Sequence, residues 1–232
     1  MHTCTVHRLG LVGYQPALEL QRRVHQQVAD GARPDTLLLM EHPHVYTLGR
    51  RGEAADILVD AAQLEVLGAE VHHTDRGGQA TYHGPGQLVG YPILDLRRRG
   101  GGPLRYIRAL EETIISTLAQ LGLVAGSDQK PTGVWVGHAK IAAMGVKISR
   151  GVSLHGFALN VDPDLSYFDH IVPCGMPDAG VTSLSAELGR PVSVDQVVPA
   201  LTSQFRRVFG MEMVQERVCV GKPVAVDTPS AG

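Results

Sequence analysis

The chain is poor in cysteine, in aromatic residues, in long apolar runs and in excess charge of either sign. Three of its 232 residues are cysteines, Cys4, Cys174 and Cys219, an odd number with no C-x-x-C pair. That argues against a disulfide framework and fits a reducing compartment. Lysine and arginine total 21 against 23 aspartate and glutamate, a formal net charge of -2. A nucleic-acid binder usually carries a clear basic excess, so no nucleic-acid partner is expected. No apolar run approaches the ~20 residues of a membrane span. The opening MHTCTVHRLGLVGYQPALEL lacks the apolar core of a secretory signal. The expectation is a cytoplasmic protein with no membrane partner. Eleven histidines, with His42-x-His44 and His72-His73 the densest groups, come without an H-E-x-x-H or a cysteine–histidine set, so no metal is expected. The triplet Arg97, Arg98 and Arg99 reads as solvated surface or as a docking patch for an acidic partner.

Apolar residues make up 44% and charged residues 19%, enough for a core without staples. The length allows one large domain, taken as residues 1–220, followed by a Pro-, Ser- and Gly-containing tail over 221–232 that reads as frayed. Apolar spacing predicts three amphipathic helices. The first runs from about residue 16 to before Gly31, with Ala17, Leu20, Val24 and Val28 inward. The second spans residues 103–121, with Leu104, Ile107, Leu110, Ile114, Leu118 and Leu121 as its stripe. The third spans residues 194–209, opened by a capping box of Ser193 and Gln196. Strand-like runs fall at 5–12, 36–41, 70–73, 87–94, 133–136, 141–149 and 152–160, the last two forming a hairpin about Arg150-Gly151. The implied class is α/β of the α+β type, a mixed sheet flanked by helices.

Four segments carry candidate chemistry. Residues 76–87, RGGQATYHGPGQ, hold four glycines and a proline, too many for a regular element, around Arg76, Thr81, Tyr82 and His83. Glycines let backbone N–H groups approach a ligand, yet the spacing fits neither a P-loop nor a dinucleotide fingerprint. Lys140 opens the run KIAAMGVK, where apolar neighbours would desolvate it and suit it to act as a base or charge partner. In LHGFALN (154–160) a glycine inside a strand invites close packing. In IVPCGMP (171–177) Cys174 stands between two prolines and before a glycine, a rigid loop rather than a core strand. A free thiol near pKa ~8.5 is only a few per cent ionised at pH 7. A cation that lowers this by ~1.5 units, roughly 2 kcal/mol of interaction, would bring it to about half.

Read together and in order, RGGQATYHGPGQLVGYP (76–92), KIAAMGV (140–146), LHGFALNV (154–161) and IVPCGMPDAGVTSL (171–184) resemble the lipoyl(octanoyl) transferase family. The run TLLLMEHPHVYTLGR (36–50) is similar to that family's first core block. The resemblance implies an acyltransferase that moves octanoyl from octanoyl-acyl carrier protein to a cysteine and then to a lysine of a lipoyl domain. Its acceptors would be 2-oxoacid dehydrogenases and the glycine cleavage H protein. The cysteine would be Cys174, with Lys140 activating it. Arg76, Gly77, Gly78, Gln79, Ala80, Thr81, Tyr82 and His83, with Ala143, Met144, Gly145, Gly156, Phe157 and Ala158, would bind substrate. His155 is a candidate for assisting proton transfer. No cofactor is implied, and the fold would resemble that of biotin and lipoate protein ligases. The rivals are an ATP-dependent lipoate or octanoate ligase, a cysteine hydrolase using His155 or His170, and a non-catalytic binder. Trp135 lacks the preceding G-R-G-R of biotin ligases.

Overall fold

The computed structural model describes residues 2–100, 102–127, 132–172 and 180–216. The expected frayed tail, residues 221–232, lies outside them, as does Cys174.

Strict alternation builds the first strand, β1 (His2–Leu11), which turns Cys4 and Val6 to one face and Leu9 to the other. The strands β2 (Asp35–Glu41), β6 (Gln87–Ile93) and β9 (Val152–Asn160) read instead as near-continuous apolar runs, because helices cover both of their faces. Helix α1 (Tyr14–Ala29) packs Ala17, Val24 and Val28 against Leu38, Met40 and Val89 on one face. On the other face α3 (Gly102–Gln120) and α5 (Val194–Phe209) pack Leu110, Ile114, Leu118, Leu201 and Phe205 against Leu37, Leu39 and Leu88. Truncating one such leucine to alanine removes about 2–5 kcal/mol. The capping box of α5 forms as expected, the Ser193 N–H donating to Gln196 Oε1 at 2.8 Å.

The remaining elements complete two mixed sheets. The short helix α2 (Ala61–Leu67) follows β3 (Val45–Leu48) and precedes β4 (Glu70–His73). Next come β5 (Ala80–His83), β7 (Gly133–Val136), β8 (Ala139–Ser149), β10 (Gly180–Val181), α4 (Leu184–Leu188) and β11 (Met211–Glu216). The large sheet runs β10-β8-β9-β6-β2-β1-β11 with β7 also beside β8, and the small one runs β4-β3-β5. Pairing is parallel at β1–β2, β1–β11 and β8–β10, and antiparallel through β2–β6–β9–β8. The mixed sheet flanked by helices is therefore the architecture found.

Two expectations need correction. Residues 76–87 contain a regular element after all: Thr81 and Tyr82 are good strand formers, and β5 pairs antiparallel with β3. Only the glycine pairs on either side of it stay irregular. In α3, Leu104 is 67% exposed, and Tyr106 takes the inward place. At 3.6 residues per turn Leu104 sits about 120° around the helix from Leu110, so it cannot share that stripe.

Candidate active site

Strands β8 and β9 form the floor of a cavity, paired as Ala143↔Ala158, Met144↔Phe157, Gly145↔Gly156 and Val146↔His155. The chain from Arg76 to Thr81 lies over this floor. The Gly77 N–H donates to Val146 O at 3.0 Å, and a Cβ on Gly145 would come within 3.0 Å of Gly77 O. Glycine at 145 thus leaves the gap between floor and roof. Gly156 is fixed from beneath, since a Cβ there would lie 2.1 Å from Gly90 O. Gly90 in turn leaves room for the Phe157 ring, which a Cβ would meet at 2.2 Å. These close approaches are what a glycine inside a strand signals.

Of the residues singled out in the sequence, Arg76, Gly78, Gln79, Ala80, Thr81, His83, Lys140, Ala143, Met144, Gly145, His155, Gly156, Phe157 and Ala158 all line this one cavity. Gly77 is absent from the lining and instead ties the roof to β8. Tyr82 is buried and turns toward an aromatic cluster, its ring 5.0 Å from that of Tyr167, and lines a neighbouring cavity together with Lys140. Tyr14, Tyr91 and Thr132 complete the main cavity. None of the three was singled out as a site residue: Tyr14 opens an amphipathic helix, Tyr91 sits in an apolar strand and Thr132 precedes β7.

Buried polar groups at the roof are tied down. Arg76 donates from Nε to Thr47 Oγ1 at 3.1 Å and from Nη2 to Thr47 O at 2.6 Å and Gln79 O at 2.7 Å. It closes its own loop against β3. Gln87 Nε2 donates to Tyr82 O, so its Oε1 is the acceptor at 3.1 Å from His83 Nδ1. The proton of His83 is therefore on Nδ1. Burial drives its pKa down to about 3, helped by His42 and Arg76, so the ring is neutral. His42 is fixed likewise, Nδ1 donating to Val12 O at 2.6 Å and Nε2 accepting from Tyr91.

His155 interrupts β9 with φ 58°, a left-handed conformation that a non-glycine residue holds only when its surroundings impose it. The β6–β9 ladder ends two residues later, at Gly90↔Phe157. Pro92 has no N–H to continue it, and the Ser153 hydroxyl patches the gap by donating to Pro92 O at 2.7 Å. The turned His155 is buried, with Nε2 2.7 Å from Asp75 Oδ1, while Lys147 Nζ donates to Asp75 Oδ2 at 2.7 Å. Burial lowers the His155 pKa despite Asp75.

Lys140 occupies the other end of the floor. His155 stands opposite Val146, six positions beyond Lys140 on β8, or roughly 20 Å along the strand. The two cannot exchange a proton directly over that span. The Lys140 Nζ lies over the Trp135 ring, 4.8 Å from its centroid. Gly180 and Val181, six and seven positions after Cys174 in sequence, pair in parallel with Ala139 and Lys140. Before that segment, Ile171 bridges to Ile57 and the Val172 N–H donates to Asp56 O at 2.9 Å. Among the described residues the cysteine is Cys4, buried in the core, which pushes its pKa to about 12 and leaves it inert. Among the described residues no group of histidine, cysteine and carboxylate side chains could hold a metal ion, and no helix is long and apolar enough to cross a membrane.

Comparison with known proteins bears on this arrangement. A family model described as the lipoyl protein ligase A/B catalytic domain matches residues 13–206. An octanoyltransferase of Solibacter usitatus is 51% identical over 214 residues, covering 92% of this chain and 96% of its own. One of Chloroflexus aurantiacus is 49% identical over 215 residues, covering 91% and 96%. Lipoate-protein ligase A bound with ATP aligns with a TM-score of 0.80 at 18% identity, covering 95% of this chain and 90% of that one. Biotin protein ligase from Aquifex aeolicus aligns at 0.52 and 12% identity, covering 90% and 70%. Such low identities speak for the fold alone, the fold that the sequence motifs implied. With the family model spanning most of its length and relatives at about half identity, the chain belongs to the family of the lipoyl protein ligase A/B catalytic domain.

Proposed function

We propose that this chain is an octanoyltransferase of lipoate biosynthesis. It takes octanoyl from the thioester of acyl carrier protein onto Cys174 and passes it to a lysine ε-amine of a lipoyl domain. The observation that carries the reading is the position of Lys140, at one end of the glycine-floored cavity and paired with the strand that directly follows the Cys174 segment. The relatives at about half identity support the same activity.

In the first half-reaction Lys140, as the amine, takes the Cys174 proton. The thiolate attacks the thioester carbonyl, the carrier's thiolate leaves, and the Lys140 ammonium returns the proton to it. In the second, the acceptor amine attacks the Cys174 thioester. An amide forms, Lys140 takes the amine's proton and gives it to the departing Cys174 thiolate. Thioester exchange is nearly balanced and amide formation is downhill, so no energy source is needed. The residues lining the cavity from Arg76 to His83, from Ala143 to Gly145 and from Gly156 to Ala158 bind the acyl chain in this reading. The acceptors are lipoyl domains of 2-oxoacid dehydrogenases and of the glycine cleavage H protein. We read residues 1–220 as one catalytic domain acting in the cytoplasm, where a nucleophilic thiol stays reduced.

Intact-protein mass spectrometry tests this. Mixed with octanoyl-acyl carrier protein and no acceptor, the protein is expected to gain one octanoyl group, and added lipoyl domain to discharge it. Cys174→Ala should gain nothing. Active wild-type protein that never carries the adduct would overturn the covalent route.

A further inference from the structure

We infer that Trp135 is a positioning residue for the reaction, holding the Lys140 ammonium over its ring face; this rests on the cysteine–lysine reading above. The β7–β8 ladder pairs Gly133 with Ala143 and Val134 with Ala142, then slips so that Trp135 stands opposite Lys140. Without the slip Trp135 would face Ile141. Directly opposed residues present their side chains on one face of a sheet, so this irregularity brings indole and ammonium together. The backbone of Trp135 is held from its other side as well, its N–H donating to Gly126 O at 2.8 Å and its O accepting from Gly126 at 2.9 Å.

Two further features fit the same role. A Cβ on Gly133 would lie 2.7 Å from Ala142 O, 3.2 Å from Lys140 Cε and 3.4 Å from Cδ, so glycine there clears both the neighbouring strand and the lysine stem. The Trp135 ring is 3% exposed, yet its Nε1–H has no hydrogen-bond partner among the described residues. A phenyl ring would bury no unbonded donor, so hydrogen bonding does not call for an indole. Its ring face does, because the indole has the strongest quadrupole of the aromatic side chains. That face attracts the ammonium and not the neutral amine, and it confines the end of a side chain with four rotatable bonds. The charged form is thereby favoured and its place fixed, which is what a cation that acidifies a neighbouring thiol requires.

The test is the pH profile of Cys174 alkylation by iodoacetamide, followed on the Cys174 peptide by mass spectrometry. Wild type, Trp135→Phe, Trp135→Leu, Lys140→Met and the Trp135→Leu/Lys140→Met double variant are compared. Trp135→Leu is expected to raise the apparent thiol pKa by roughly 0.5 to 1 unit, and Trp135→Phe by less. Lys140→Met should raise it further, and the double variant should match Lys140→Met. The turnover number should fall several-fold in Trp135→Leu with KM for the octanoyl carrier unchanged. An unmoved profile in Trp135→Leu, with Lys140→Met shifted, overturns the role of Trp135 and leaves the dyad standing. An equal shift from Trp135→Leu in the Lys140→Met background also overturns it, since the indole would then act otherwise than through the lysine. A Lys140→Met profile like wild type overturns the dyad itself. Thermal unfolding of each variant checks the fold, and Trp135→Phe carries the test if the leucine variant does not fold.

Discussion

The two ends of the cavity are built on opposite principles. At one end stands a single long cation, Lys140, beside the strand that follows the Cys174 segment. At the other, about 20 Å along β8, lie Arg76 and His155, buried polar groups bonded to Thr47 and Asp75. Burial lowers the His155 pKa against the pull of Asp75. An alkyl tail can lie against such an end because those hydrogen bonds do not depend on water. An extended eight-carbon chain spans roughly 9 Å from bond lengths and angles. On the proposed reading the lysine stem and an eight-carbon tail together reach about to the Gly145↔Gly156 pair. In the proposed reaction the first end has charge to move, while the second sets how far an acyl chain can go.

The sharpest way to break this comparison is at the charged end. Lys140→Met should lower the turnover number by about 10²- to 10⁴-fold, the range for a positioned acid–base group, with the octanoyl carrier still bound. Rapid-quench measurement of Cys174 acylation would read it, and a loss under tenfold would place the proton transfer elsewhere. At the floor, Gly156→Ala puts a Cβ 2.1 Å from a main-chain oxygen that cannot step aside. Its melting temperature should fall by at least about 5 °C, if the protein folds at all, since overpacking costs about 1–3 kcal/mol or more. Gly145→Ala is milder and more informative. Its Cβ meets Gly77 O at 3.0 Å, in the gap between floor and roof. Each methylene excluded is worth about 0.8 kcal/mol, so octanoyl should lose roughly fourfold to fifteenfold in kcat/KM relative to hexanoyl. Equal losses for both chains would mean that the tail ends short of this point.

Legibility followed the same division. The main sheet and its three long helices could be read from alternation, continuous apolar runs and spacing, because each sits on one large core. The small sheet was half-hidden. β3 and β5 have only four residues each, and β5 lies between glycine pairs that signal a loop. Motif residues could be named from the sequence, and most line one cavity. Their partners could not. Thr47 clamps Arg76 and Asp75 holds His155 across 29 and 80 positions of chain, which no local pattern encodes. Trp135 needed a slipped ladder to meet Lys140. The arginine triplet shows the reverse. Its charge left solvated surface and a docking patch both open, and in the structure each arginine has a carboxylate partner, Arg97 and Arg98 on Asp95 at 2.8 and 3.4 Å and Arg99 on Asp35 at 3.0 Å.

The smallest expected effect lies at the Asp75 bridge. Burial alone would push the Asp75 carboxyl up, but hydrogen bonds from Lys147 and His155 outweigh it and hold the pKa at about 2, against 3.8 for a free aspartate. A carboxylate with a depressed folded pKa stabilises the folded state above the unfolded value, and that contribution is lost as pH falls through the folded one. Asp75 is 38% exposed, so screening limits its contribution to about 1 kcal/mol. Asp75→Asn should therefore melt about 2–4 °C below wild type at pH 7, and the gap should close between about pH 4 and pH 2. Octanoyl transfer should change less than twofold, because in the proposed reaction the bridge sits about 20 Å along β8 from Lys140. A tenfold loss with a displaced pH–rate profile would show that His155 handles a proton after all. The separation of the cavity into a reacting end and a measuring end would then fail.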